Sequence, residues 1–223
     1  LNLTADNVFN IDKPIGWTSF DVVKKVRGIT HIKKVGHAGT LDPFATGVLL
    51  VLTGSQTKLQ TTFTDLRKVY VATVSLGSQT DTGDYTGSVI SEDTVPNMTR
   101  AELESNFGSF VGDIFQVPPM FSAKKVNGQT LYKLARKGRT VEREPHPISI
   151  FSIELIDMQL PNFTMKVHCG KGTYIRTLAE DIAVSVGTVG HLTALRRLAI
   201  GEFVVEDAES ITTFEERWKS CAA

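Results

Sequence analysis

Hydrophobic and polar positions alternate most clearly over Lys68–Leu76. Tyr70, Ala72, Val74 and Leu76 fall on one side, and Val69, Val71, Thr73 and Ser75 on the other. A period of two predicts a strand with one buried face. The run Val48 to Thr53 is apolar almost throughout and predicts a buried strand. Val8–Ile11, Ile148–Ile156 and Phe163–His168 read as further strands, with another near Val89. Helical spacing appears in Val22, Val23, Val26 and Ile29, with Ser19 placed to cap that helix. Thr99 and Glu102 form a capping-box pattern ahead of Leu103 and Phe107. Helices are also predicted over Ser55–Asp65, Tyr174–Val186 and Thr212–Lys219, with a short basic one at Leu131, Leu134 and Ala135. Asp12–Trp17 is turn-like, Pro118–Pro119 breaks the chain, and Asn127–Gly128 signals a hairpin-type turn. Leu195–Val205 predicts a turn and then a final strand. The strands come in groups rather than in regular alternation with helices, so the fold class is α+β.

Composition narrows the setting. The chain has 223 residues, 41% hydrophobic and 22% charged, which excludes a disordered tail, a collagen or a coiled coil. Cys169 and Cys221 can form at most one bridge, so the fold is no disulfide scaffold and a reducing compartment is expected. The longest wholly apolar run, Val48–Leu52, is too short for a bilayer. The start, Leu1-Asn2-Leu3-Thr4, lacks the pattern of a secretory signal. A cytoplasmic protein without membrane contact is expected.

The 24 Lys and Arg balance the 24 Asp and Glu, which argues against a general nucleic-acid coating protein. Half of the 24 bases nevertheless fall in two windows. Residues 24–34 hold Lys24, Lys25, Arg27, Lys33 and Lys34 with no acid. Residues 124–143 hold Lys124, Lys125, Lys133, Arg136, Lys137, Arg139 and Arg143, with Glu142. Glu202, Glu206, Asp207, Glu209, Glu215 and Glu216 reverse the sign near the C-terminus. Separated charge of this kind fits an anion-binding face, and it fits solvated helix faces equally.

Familiar nucleotide and metal motifs are missing. Gly170-Lys171-Gly172 is followed by Ile175 where a dinucleotide fingerprint needs glycine. The histidines, His31, His37, His146, His168 and His191, lack the spacing of a helical zinc site, and no metal is expected. Asp81-Thr82-Gly83-Asp84 reads as a carboxylate-rich turn rather than a cation site.

The densest segment is Val35-Gly36-His37-Ala38-Gly39-Thr40-Leu41-Asp42-Pro43-Phe44-Ala45-Thr46-Gly47-Val48-Leu49. Gly36 and Gly39 admit close backbone approach, and Pro43 biases Asp42 toward an extended conformation. A carboxylate at the mouth of a buried strand needs a partner. A capping or turn Asp would fit the same pattern.

This segment resembles the catalytic motif of the TruB family of tRNA pseudouridine synthases. The resemblance covers nearly the whole chain. It extends through Asp12-Lys13-Pro14, Lys68-Val69-Tyr70, Thr80-Asp81-Thr82-Gly83-Asp84 and Pro118-Pro119-Met120-Phe121-Ser122-Ala123. It continues in Gly170-Lys171-Gly172-Thr173-Tyr174-Ile175-Arg176-Thr177 and Leu195-Arg196-Arg197-Leu198.

The resemblance implies a mixed, mainly antiparallel central sheet flanked by helices, with an active-site cleft. It implies one catalytic domain over residues 1–223, with a thumb-like RNA-binding insertion over 120–147 and no PUA domain. The substrate would be tRNA, through its T arm and T loop, with uridine 55 isomerised to pseudouridine. No metal or other cofactor is implied, and a monomer is expected. Asp42 would be catalytic, as nucleophile or as a base, and Arg176 would pair with it. Tyr70 would stack on the uracil, Tyr174 and Leu195 would line its pocket, and His37 would fill the space left by a flipped base. Lys13 and Pro14 would support the site structurally. Two rivals are an RNA-folding factor without chemistry and a metal-dependent phosphotransferase built on Asp42.

Overall fold

The structure, a computed structural model, describes residues 6–126 and 128–222. Its elements begin with β1 (Val8–Lys13), α1 (Ser19–Thr30), β2 (Val35–Ala38), β3 (Thr46–Thr53), α2 (Gln60–Asp65), β4 (Lys68–Leu76), β5 (Ser78–Thr80) and β6 (Val89–Glu92). They continue with α3 (Arg100–Phe107), β7 (Gly112–Gln116), β8 (Lys125–Val126), β9 (Gln129–Thr130), α4 (Leu131–Ala135) and β10 (His146–Gln159). The last are β11 (Asn162–Cys169), α5 (Ile175–Ser185), β12 (Gly190–Ile200), β13 (Phe203–Val204) and α6 (Ile211–Ala222). The architecture is mixed α+β, as the grouping of strands predicts, with the mostly antiparallel sheet that the resemblance implies. No helix among the described residues is long and apolar enough to cross a membrane. The opening residues 1–5 and Asn127 lie outside the described ones, and with them the N-terminal signal reading and half of the predicted Asn127–Gly128 turn.

The chain packs as two compact units, one formed by residues up to 70 together with those from 195 onward, the other by 71–194. In the first unit β3 is central. It pairs antiparallel with β1, from Val8↔Leu52 to Lys13↔Gly47, and with β2, from Val35↔Thr53 to Ala38↔Leu50. It also pairs parallel with β12 at Arg196↔Thr46 and Arg197↔Gly47. The apolar run of β3 is explained by burial on both faces. Leu49 and Val51 pack with Phe9, Ile11, Val22, Val26 and Phe214 beneath α1 and α6. Val48, Leu50 and Leu52 pack with Ala38 and Ile200 on the other side, where Phe63, Leu66 and Phe203 cover them. Each such buried aliphatic side chain contributes about 1.5–3 kcal/mol.

Helix α1 is capped by Thr18 rather than Ser19. The Thr18 hydroxyl accepts from the Asp21 N–H at 3.1 Å, and the Thr18 N–H donates to the Asp21 carboxylate at 2.9 Å. Ser19 is buried and bonds elsewhere, as described below. His31 ends the helix in the left-handed region at φ 58°.

In the second unit β10 pairs antiparallel with β11, from Ile150↔Cys169 to Gln159↔Asn162, and with β7, from His146↔Gln116 to Ile150↔Gly112. The alternation of β4 is that of a half-buried strand: Ala72, Val74 and Leu76 are inside. The capping box of α3 forms at Thr99 and Glu102, and it sends Leu103 and Phe107 into the core beside Phe163. Helix α5 buries Ile175, Leu178, Ala179, Ile182 and Ala183. Between Pro119 and Pro147 the short pair β8–β9 leads into α4, where the Tyr132 ring meets Phe121 edge-on and lies under the Arg136 guanidinium.

One predicted boundary is corrected. The final long strand does not follow a turn at Leu195 but runs from Gly190 through Ile200. Its polar residues hide the pattern, because they are buried with specific partners: the His191 ring lies 2.8 Å from the Ser78 carbonyl oxygen, and Arg197 is bonded as described next.

Candidate active site

Asp42 lies on the connection between β2 and β3, and that connection is held by its main chain. The Ser19 hydroxyl accepts from the Leu41 N–H at 2.9 Å and donates to the Leu41 carbonyl at 3.2 Å. One residue beyond Asp42, the Pro43 carbonyl accepts from the Gly16 N–H at 2.8 Å and from Lys13 Nζ at 3.3 Å. The Ala45 N–H closes a turn onto the Asp42 carbonyl at 3.1 Å. The half-buried Asp42 carboxyl is thus presented on a frame fastened at the residue before it and the residue after it.

Lys13 is fully buried, and its ammonium also donates to the Pro14 and Trp17 carbonyls at 2.9 and 2.7 Å. Burial pulls its pKa down to about 8, while the nearby Asp42 carboxylate acts in the opposite sense. Lys13 therefore braces the turn through three main-chain carbonyls. Its neighbour Asp12 points to the other side of β1 and accepts a two-pronged pair from Arg196, at 3.1 and 2.7 Å. Arg196 also donates to the Thr46 hydroxyl at 3.1 Å.

Arg197, one residue on, is 1% exposed. Its Nε donates to the Val48 carbonyl at 2.7 Å and its Nη2 to the Gly39 carbonyl at 2.9 Å. Its Nη1 lies 3.5 Å from the Tyr70 hydroxyl, and its Cζ is 6.0 Å from the centre of the Tyr70 ring. His37, on β2, is partly buried, and its pKa is lowered first by burial and then by the Arg197 charge. Leu195 is buried two residues before Arg197 on the same strand. The first unit therefore carries His37, Asp42, Tyr70 and Leu195, with Arg197 touching the tyrosine and lying close enough to His37 to shift its titration.

Tyr174 and Arg176 belong to the second unit, at the start of α5. Tyr174 is the residue before the helix, and the Gln116 carboxamide grips its backbone. The Tyr174 N–H donates to Gln116 Oε1 at 2.8 Å, and Gln116 Nε2 donates to the Tyr174 carbonyl at 3.1 Å. Arg176 is buried. It donates to the Thr82 carbonyl at 2.6 Å and the Phe121 carbonyl at 2.7 Å, with Asp84 4.0 Å from its Nε. The Asp81-Thr82-Gly83-Asp84 segment is therefore a turn that cradles an arginine. Gly83 needs its positive φ of 73°, and a Cβ there would meet the Glu180 carboxylate at 2.9 Å. Burial pushes the Glu180 pKa up to about 7, against the nearby Arg176 charge.

Residue chemistry alone assigns no role to Arg197 or Gln116, and it gives Ser19 only a helix-capping role that Thr18 takes instead. Arg197 had a readable signal, since it falls in phase with Leu195 on a strand, where a charge is unexpected. Gln116 and Ser19 had none, because each acts on a distant main chain.

The fold is that of the pseudouridine synthases. The chain is similar, with a TM-score of 0.76 and 26% identity, to a chain in a crystal structure of a Cbf5-Nop10-Gar1 complex, over 98% of this chain and 57% of that one. A chain in a structure of an H/ACA RNP bound to a substrate RNA containing 2'-deoxyuridine matches in fold at a TM-score of 0.73 and 24% identity, over 98% of this chain and 56% of that one. The model of the TruB family pseudouridylate synthase N-terminal domain matches residues 27–175, and the chain belongs to that family. It is 46% identical over 210 residues to tRNA pseudouridine synthase B of Opitutus terrae, across 94% of this chain and 87% of that protein. It is 47% identical over 211 residues to the protein of the same name from Geobacter sulfurreducens, across 95% and 69%.

Proposed function

We propose that this protein isomerises uridine 55 in the T loop of tRNA to pseudouridine, with Asp42 as its catalytic residue. The observation that carries the assignment of Asp42 is its mounting: a carboxyl on a turn pinned at Leu41 and Pro43. A group that must meet one atom of a bound nucleotide gains from such rigidity. The tRNA substrate is supported by the names of relatives that match most of this chain.

In the reaction the N1–C1′ bond breaks, the uracil turns, and C5 bonds to C1′. C5 loses a proton and N1 gains one, so the product is an isomer and no co-reactant is consumed. Asp42 acts in its ionised form, either as nucleophile or as the base that removes the 2′ proton. The Arg176 guanidinium, paired with Asp42 as the resemblance implies, favours that form. Tyr70 stacks on the uracil, Tyr174 and Leu195 bound its pocket, and His37 occupies the gap left in the loop. Residues 120–147 close on the RNA as a thumb, and their bases together with Lys24, Lys25, Lys33 and Lys34 meet phosphates.

The test is release of tritium from tRNA labelled at uridine C5, with chelator present. Wild type should release it, and Asp42→Asn should lose more than about 10²-fold in rate while still binding tRNA. Equal release by both proteins, or none by a folded, tRNA-binding wild type, would overturn the proposal.

A further inference from the structure

A buried cation is costly unless its surroundings compensate it. Arg197 is such a cation, and its hydrogen-bond partners are neutral oxygens: the carbonyls of Val48 and Gly39 and the hydroxyl of Tyr70. An apolar side chain of similar size would fill the same space without that cost. The guanidinium therefore has a use that packing does not explain.

The positions of its partners indicate the use. Gly39 precedes the Asp42 turn and Val48 follows it, so one planar group spans both ends of the segment that presents the carboxyl. The third partner, Tyr70, comes from a different strand. A guanidinium can do this because its donors are fixed in one plane, whereas an ammonium is a single point. The local backbone is shaped to admit it. A Cβ on Gly39 would come within 3.4 Å of Nη1, and Gly39 takes a positive φ of 77°. At 1% exposure Arg197 is closed off from any bound nucleotide.

We propose that Arg197 is a positioning residue for the isomerisation, holding the Asp42 turn and the Tyr70 hydroxyl in one geometry and polarising the Tyr70 phenol with its charge. The assignment rests on the roles of Asp42 and Tyr70 proposed above.

Two measurements test it. The first is single-turnover tritium release by Arg197→Met, Tyr70→Phe and the double variant, each checked for folding by circular dichroism and for tRNA affinity. Arg197→Met should slow the step by about 10²-fold with Kd changed less than about twofold. Adding it to Tyr70→Phe should slow the reaction further by much less than that factor, because the two act through one contact. A wild-type rate in folded Arg197→Met, or full multiplication of the two losses, would overturn the proposal. Should Arg197→Met fail to fold, Arg197→Lys carries the test. It keeps the charge but not the fork, and a rate near wild type would overturn the proposal.

The second measurement needs no RNA. In protein labelled with 13C at tyrosine Cζ, the Tyr70 resonance should move in the Arg197 variant, since the cation that polarises the phenol is gone. An unmoved Tyr70 signal would overturn the polarising role. If wild type releases no tritium, the proposed function fails while this measurement still decides the contact.

Discussion

Gly47 and Arg197 meet backbone to backbone. A Cβ built on Gly47 would sit 2.2 Å from the Arg197 carbonyl oxygen, and Gly47 has a φ of 102°. No side chain fits there, and no other residue adopts that conformation without strain. Gly47→Ala should therefore destabilise the protein by about 3 kcal/mol or more, through strain and displaced strands. Urea unfolding of the two proteins measures it.

Ser19 offers a milder perturbation of the same region. Ser19→Ala removes both bonds to Leu41 and leaves its buried N–H without that acceptor. The expected cost is about 1–3 kcal/mol. Because Leu41 adjoins Asp42, the single-turnover rate should also fall while tRNA affinity holds. A quenched assay with enzyme in saturating excess over tRNA separates the two effects.

Much of this architecture is legible from residue patterns, and the exceptions have physical causes. β4 is readable because one face is buried, so its period of two survives in the sequence. The α3 capping box is local and is found where it is expected. β2 is hidden because Gly36 resembles a loop residue, although the strand pairs along β3. β7 escapes because its Phe115 points to solvent while its Gln116 is buried, the reverse of a simple pattern. The site follows the same rule. Asp42 is visible in its motif, whereas Gln116 acts on a main chain 58 positions away.

Gln116 is 2% exposed and satisfies both backbone groups of Tyr174. Gln116→Met keeps the volume and removes both bonds. Stability should fall by about 1–3 kcal/mol. With Tyr174 lining the uracil pocket, as proposed, KM for tRNA should rise more than kcat falls. Steady-state kinetics on unmodified transcript would show the split.

Glu180 makes stability depend on pH. Its pKa lies near 4.5 in the unfolded chain and is raised to about 7 by burial in the fold. Between those values the folded protein holds a proton that the unfolded chain has released, so this residue makes stability fall as pH rises. Glu180→Gln should remove that slope. Its stability relative to wild type should improve from pH 5 to pH 8, as read by denaturant midpoints at each pH.

The two basic windows predict salt-sensitive binding. If they neutralise phosphates, log affinity for tRNA should fall by roughly 0.7 to 0.9 per decade of salt for each phosphate met. Replacing Lys124 and Lys125 together with Gln should lower that slope by about 1.4 to 1.8 if each meets one phosphate. Filter binding across a salt series checks it.

The turn that bears Asp42 is held through peptide groups at Gly39, Leu41, Pro43 and Val48, by side chains rooted elsewhere in the chain. Robustness to mutation should therefore be distributed unevenly. Most changes to the solvent-facing side chains of the turn leave its fastenings intact, while Ser19, Lys13 and Arg197, distant in sequence, hold them. A random-mutagenesis screen for lost activity should return hits at those three remote positions more often than at Thr40, whose exposed side chain can vary while the turn's peptides stay bound.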